Sequence, residues 1–115
     1  MASGIFIPIF RRCGVNIPEN INILYKTYSV KQEKNLHDGQ DDLYGQIHYL
    51  PEQIFLNIDA SNSQKEATLI HEVIHGLDEM YRIGLNEEQV EKLGNAFYML
   101  IRDNPKMFEQ RGDVN

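Results

Sequence analysis

Between Asn20 and Val30 apolar and polar residues take turns: Asn20-Ile21-Asn22-Ile23 alternates, Tyr25 follows, and Tyr28-Ser29-Val30 resumes after Lys26-Thr27. A period of two places alternate side chains on opposite faces, so this stretch predicts a first pair of short strands. Residues 33–42 lose the pattern, are polar and contain Gly39, which reads as a mobile loop. Alternation returns over Gln46–Leu50 and Gln53–Ile58, two runs joined by Pro51-Glu52. Proline presets φ for the first central position of a turn, so a hairpin is predicted with Ile54, Leu56 and Ile58 on its buried face.

After Ile58 the period lengthens to about 3.6. Ser63-Gln64-Lys65-Glu66 has the form of a capping box. In the helix that follows, Ala67, Ile70, Ile74, Leu77 and Tyr81 share one face while Leu69, Val73 and Met80 lie on another. A helix apolar over most of its circumference is expected between two layers, and Gly84 is its expected stop. A second helix is predicted from near Asn86 through Val90, Leu93, Phe97, Leu100 and Ile101, ending at Asp103-Asn104-Pro105. The expected architecture is α+β: a small antiparallel sheet of short strands, then a buried helix, then a covering C-terminal helix.

Length narrows this to a single domain over residues 1–115, with 1–16 a poorly defined N-terminal segment and 106–115 a mobile tail. A formal charge of −6 and the lack of a basic stripe argue against nucleic acid as a partner. No apolar run approaches the length of a membrane helix, and the charges around Ile5–Phe10 are in the wrong order for a secretory signal. The single cysteine, Cys13, allows no internal disulfide, so the expected compartment is the reducing cytoplasm.

The chemistry concentrates in His71-Glu72-Val73-Ile74-His75, inside the predicted buried helix. Residues four apart on a helix lie one turn apart on one face, so two imidazoles can grip one metal ion, and their nitrogens suit Zn²⁺. Glu72 is rotated about 100° from His71 and is free to act as general base on a metal-activated water. The bland alternative is a pair of core histidines satisfied by ordinary hydrogen bonds. Two histidines and a glutamate in an otherwise apolar helix cost several kcal/mol without partners, which favours the metal.

A catalytic zinc takes three protein ligands and leaves one position open. The other histidines, His37 and His48, precede the motif in a loop and a strand, whereas the second helix opens with Asn86-Glu87-Glu88-Gln89-Val90-Glu91. Measured from the Val90/Phe97 direction, Glu87 lies about 60° away, Glu91 about 100° and Glu88 about 160°. Glu87 is therefore the expected third ligand. Glu91, one turn on, and Asp78, three residues after His75, are expected to support the ligands by hydrogen bonding. Helix-dipole complementarity is enough to account for Glu88. Tyr49, Tyr81, Tyr98 and His48 all qualify as donors to a developing oxyanion.

Gly45-Gln46-Ile47, the segment Ala67–Asp78, Gly84–Leu93 and Arg102-Asp103-Asn104-Pro105 together resemble the small phage and prophage metallopeptidases related to the ImmA/IrrE group of gluzincins. The resemblance spans about residues 17–105. It implies a minimal zincin-like fold, a Zn²⁺ cofactor and a peptide or protein substrate. The chain is similar to the wider gluzincin pattern Asn-Glu-x-x-x-Asp, with Glu91 in place of the aspartate. The downstream histidine of metzincins is absent, and Asp78 stands where their glycine would be. A catalytically idle metal-binding or protein-interaction module on the same scaffold is the rival expectation, since a fold does not guarantee turnover.

Overall fold

The computed structural model describes residues 16–38, 41–42 and 44–109. The expectations for Cys13, for residues 1–15 and for 110–115 fall outside them.

The first predicted pair of strands forms as β1 (Asn20–Ile23) and β2 (Lys26–Glu33), an antiparallel hairpin whose tight turn holds Leu24 at φ 58°. Two two-residue strands, β3 (His37–Asp38) and β4 (Asp41–Asp42), pair within the stretch expected to be a mobile loop. The second hairpin forms as β5 (Gly45–His48) and β6 (Gln53–Asn57). Ile54 and Leu56 are fully buried as expected, but Ile58 lies beyond the end of β6 and is exposed.

The sheet order is β1-β2-β6-β5, and β6 pairs with β2 in parallel, Val30 opposite Ile54 and Gln32 opposite Leu56. The sheet is thus mixed rather than wholly antiparallel. The chain passes from β2 to the outer position first, as β5, and returns between them as β6. This puts the most apolar strand at the centre, where both of its edges are hydrogen-bonded and its buried face is covered.

Helix α1 (Asn62–Tyr81) lies across the sheet, and α2 (Glu87–Asp103) packs on α1. The domain is α+β, as expected. The core joins Ile23, Tyr28, Ile54 and Leu56 of the sheet to Leu69 of α1, with Val73, Leu77 and Met80 packed against it. The α1 cap is Ser61, which accepts a hydrogen bond from the Gln64 backbone N–H at 3.1 Å, not Ser63 as expected. Glu66, freed from the capping box, accepts a hydrogen bond from Tyr98 of α2 at 2.8 Å. Tyr81, the last residue of the helix, is exposed.

Helix α2 is capped by Asn86 and Gln89 in a reciprocal box. Its buried residues are Val90, Gly94 and Tyr98, so the face toward α1 is turned from the Val90/Phe97 direction, and Phe97 is exposed. A short 3-10 helix, Pro105–Phe108, follows in the stretch expected to begin the tail. No described helix is long and apolar enough to cross a membrane.

The start of β5 lies hard against α1. A Cβ added at Gly45 would sit 2.5 Å from Thr68 Cγ2 and 2.8 Å from the carbonyl oxygen of Phe55. The second of these is backbone and cannot rotate away. Gly45→Ala is expected to lower stability by about 1–3 kcal/mol, read from the midpoint of urea unfolding.

A candidate metal centre between two helices

His71 and His75 lie one turn apart on α1, on the flank facing α2, and both rings are partly buried. Glu87 is the first residue of α2 and reaches back between them. Its Oε2 lies 3.1 Å from Nε2 of His71 and its Oε1 lies 3.1 Å from Nε2 of His75. Two nitrogens and a carboxylate from two helices therefore converge, with His71 and Glu87 sixteen residues apart in sequence and all ligand atoms within 4.8 Å of one another. Among the described residues no other His, Cys, Asp or Glu joins this group. The donor set is two imidazoles, one carboxylate and an open side, which fits a metal ion that keeps a free coordination position.

Two local features bring Glu87 there. The first is the connection between the helices. Arg82 adopts a left-handed conformation at φ 54°, and its N–H and that of Ile83 return to the carbonyl of Asp78. The Asp78 carboxylate accepts hydrogen bonds from the N–H groups of Gly84 at 2.8 Å and Leu85 at 3.0 Å. Asp78 is thus occupied in folding the turn, away from the three-residue group. Gly84, at φ 87°, follows the helix end by three residues.

The second feature is Gly94. A Cβ placed there would lie 3.4 Å from the Cα of His71, so the α2 backbone runs directly over the first histidine. An alanine would just touch; a longer side chain would separate the helices. Gly94→Leu is expected to weaken metal affinity by about tenfold or more although it alters no ligand, because displaced supports loosen a site by that order. Metal titration of the variant, with circular dichroism to confirm its helices, checks this.

Glu72 faces the same cleft. It is 7% exposed, makes no hydrogen bond to a described residue, and has its pKa pushed up to about 7. Burial away from water is the main cause and the nearby Glu87 carboxylate the second. A carboxyl group at that pKa exchanges protons near neutrality, as a general base and acid must. The shift has a consequence for the metal-free fold. The unfolded chain binds this proton with a pKa near 4.5, the folded one with about 7, so the native state is favoured at low pH and loses that advantage as pH rises from 4.5 through 7. The loss amounts to at most about 3 kcal/mol by pH 8. In metal-free protein, Glu72→Gln is expected to remove this part of the pH dependence and to gain on wild type at pH 8 but not at pH 4. Urea unfolding of both proteins at the two pH values measures it.

The cleft has a volume of about 550 Å³ and is lined by His71, Glu72, His75, Glu87 and Glu91, with Gln64, Ala67, Thr68 and Asn95 farther along the helices and Tyr44 and Gly45 from the sheet. Glu91 borders it, is exposed to solvent and is hydrogen-bonded to neither histidine. Glu88 is turned away and pairs with Lys92 at 3.1 Å. None of the four expected oxyanion donors lines the cleft. Tyr49 donates to the carbonyl of His75 at 3.4 Å, Tyr98 to Glu66, Tyr81 is exposed, and His48 meets Gln46. Tyr44, Gln64 and Asn95 were not anticipated. The helical spacing Glu87, Glu91, Asn95 is the one sequence signal that could have marked Asn95. The chain gave no significant match to family models, to curated proteins or to solved structures.

Proposed function

We propose that the protein is a zinc-dependent peptidase whose centre is His71, His75 and Glu87, with Glu72 as general base. The observation that carries this reading is the convergence of three ligand atoms from two helices beside a buried carboxylate that has no hydrogen bond to a described residue. Two imidazoles and one carboxylate suit Zn²⁺, which when bound supplies a Lewis acid that polarises the scissile carbonyl and acidifies water. The resemblance of the His71–His75 segment to the ImmA/IrrE-related peptidases belongs to the same reading.

The chain's own residues then divide the work. His71, His75 and Glu87 would hold the ion beside the cleft. Glu72 takes a proton from the attacking water as the new C–O bond forms. It returns that proton to the amide nitrogen as the C–N bond breaks, so the products are a carboxylic acid and an amine. Strand β5 is an edge of the sheet, and its first residue, Gly45, borders the cleft. An edge strand offers unpaired N–H and C=O groups, so an extended substrate is expected to lie alongside it.

The test is cleavage of a mixture of fluorescence-quenched peptides by the purified protein loaded with Zn²⁺. Cleavage that disappears with a chelator and returns with added Zn²⁺ supports the reading. Zinc-loaded protein that cleaves no peptide or unfolded protein favours the idle metal-binding or interaction module.

A further inference from the structure

The apolar pattern of α2 is broader than the face it buries. Val90, Gly94 and Tyr98 are buried, whereas Leu93 (37% exposed), Phe97 (44%) and Leu100 (40%) remain in solvent, with exposed Ala96 among them. At 100° per residue these four fall within an arc of about 100°, so they form one stripe rather than scattered side chains. Their spacing of three and four residues is that of a helix face that packs on another helix. The stripe carries no charge. Glu91 of the cleft lies about 170° round the helix from its centre, so covering the stripe leaves the cleft open.

The stripe is symmetric about its midpoint, between residues 96 and 97. If two α2 helices pack antiparallel, Leu93 of one faces Leu100 of the other, and the large Phe97 faces the small Ala96. The flanking charges follow the same symmetry. Lys92 and Asp103 lie about 20° apart along one edge of the stripe, and a two-fold axis through the midpoint brings each to within about 3 Å of the other's level along the helix. Asp103 is the last residue of α2, where a negative charge opposes the helix dipole, and it has no ion pair with a described residue. Lys92 meets Glu88 on its own helix in an exposed pair, which leaves further ammonium hydrogens free. A second copy places that lysine at the end of α2 that lacks a cation for Asp103.

We infer that the outer face of α2 is the interface of a two-fold symmetric, antiparallel dimer of this chain. Leu93, Ala96, Phe97 and Leu100 form its centre, and a Lys92–Asp103 pair between the copies closes each end. Helix α2 is about 25 Å long, so the contact is at the small end of protein interfaces and the dimer is weak, with a Kd on the order of tens of micromolar. The inference is independent of the metal centre, which lies on the opposite flank of α2.

Sedimentation velocity of the full chain between about 5 and about 500 µM tests this. Wild type is expected to pass from monomer to dimer across that range. Phe97→Glu should weaken dimerisation at least tenfold, roughly the cost of two like charges at the centre of a contact, while its circular dichroism matches wild type. Lys92→Glu and Asp103→Lys should each weaken it about threefold. The double variant should return to wild-type affinity, a restoration that depends on this register. If Phe97→Glu does not fold, the charge-swap series decides alone. A dimer that tolerates Phe97→Glu, or a double variant no tighter than the single ones, overturns the inference. So does a wild type that stays monomeric at the highest concentration. In that case lowered stability of Phe97→Glu assigns the stripe to another part of this chain, and unchanged stability assigns it to a different protein.

Discussion

Glu72→Gln is expected to keep a full equivalent of Zn²⁺ and to lose peptide cleavage by about 10²–10⁴-fold, the usual contribution of a positioned general base. The substitution preserves shape and leaves His71, His75 and Glu87 untouched, so it separates proton transfer from metal binding. The environment of Glu72 makes the effect specific. Its carboxyl titrates near 7 because it is buried and lies near Glu87, and no hydrogen bond from a described residue fixes it in one protonation state. A glutamine there is isosteric but cannot accept a proton at any accessible pH. Metal analysis and initial rates on one preparation decide the matter: loss of zinc would place Glu72 among the ligands, and undiminished cleavage would remove it from the mechanism.

His71→Ala and His75→Ala are each expected to weaken Zn²⁺ binding by at least about a hundredfold, since even the loss of a group that merely supports a ligand can cost that much. Each leaves one histidine on α1 and Glu87 on α2. Glu87→Gln should also weaken binding, because the oxygen facing one of the two histidines becomes an amide nitrogen, which cannot ligate, and the carboxylate charge is lost. Glu88→Gln is the control. Its side chain pairs with Lys92 on the outer face of α2, and its affinity for zinc should match wild type. Competition with a chromogenic chelator measures all four. If Glu88→Gln were the variant that lost metal, the facing of α2 described above would be wrong.

The helical phase also shows how sequence and structure divide the explanation. Periodicity located α1 and α2 and placed the two histidines on one flank, because those features depend only on backbone geometry and on burial of apolar side chains. It pointed to Glu87 as well, although from an interface centred on Val90 and Phe97. The real interface follows Val90, Gly94 and Tyr98, and on it Glu87 sits closer to the middle, about 20° from Gly94. Leu93 and Phe97 drew the pattern the wrong way, since an apolar residue in a helix does not declare whether it is buried. Gly94 shows no hydrophobic signal, yet its missing side chain sets the closest approach of the helices.

Asp78 makes the same point for charged groups. Three residues after His75, its spacing alone fits support of the candidate site equally well, but a carboxylate goes where unsatisfied donors are. The left-handed helix end at Arg82 presents the N–H groups of Gly84 and Leu85 to it. Likewise the alternation over 20–30 and 46–58 was enough for four strands but not for their order, because pairing β6 with β2 in parallel is a long-range contact that only the common core selects. Local periodicity was sufficient for the four strands of the larger sheet, the two α-helices, the α+β class and the His-Glu-x-x-His flank, but not for the short β3–β4 pair or the 3-10 helix. Tertiary structure alone decided the central position of β6, the closeness of α2 at Gly94 and the meeting of Glu87 with His71 and His75, because each depends on how buried faces separated along the chain fit against one another.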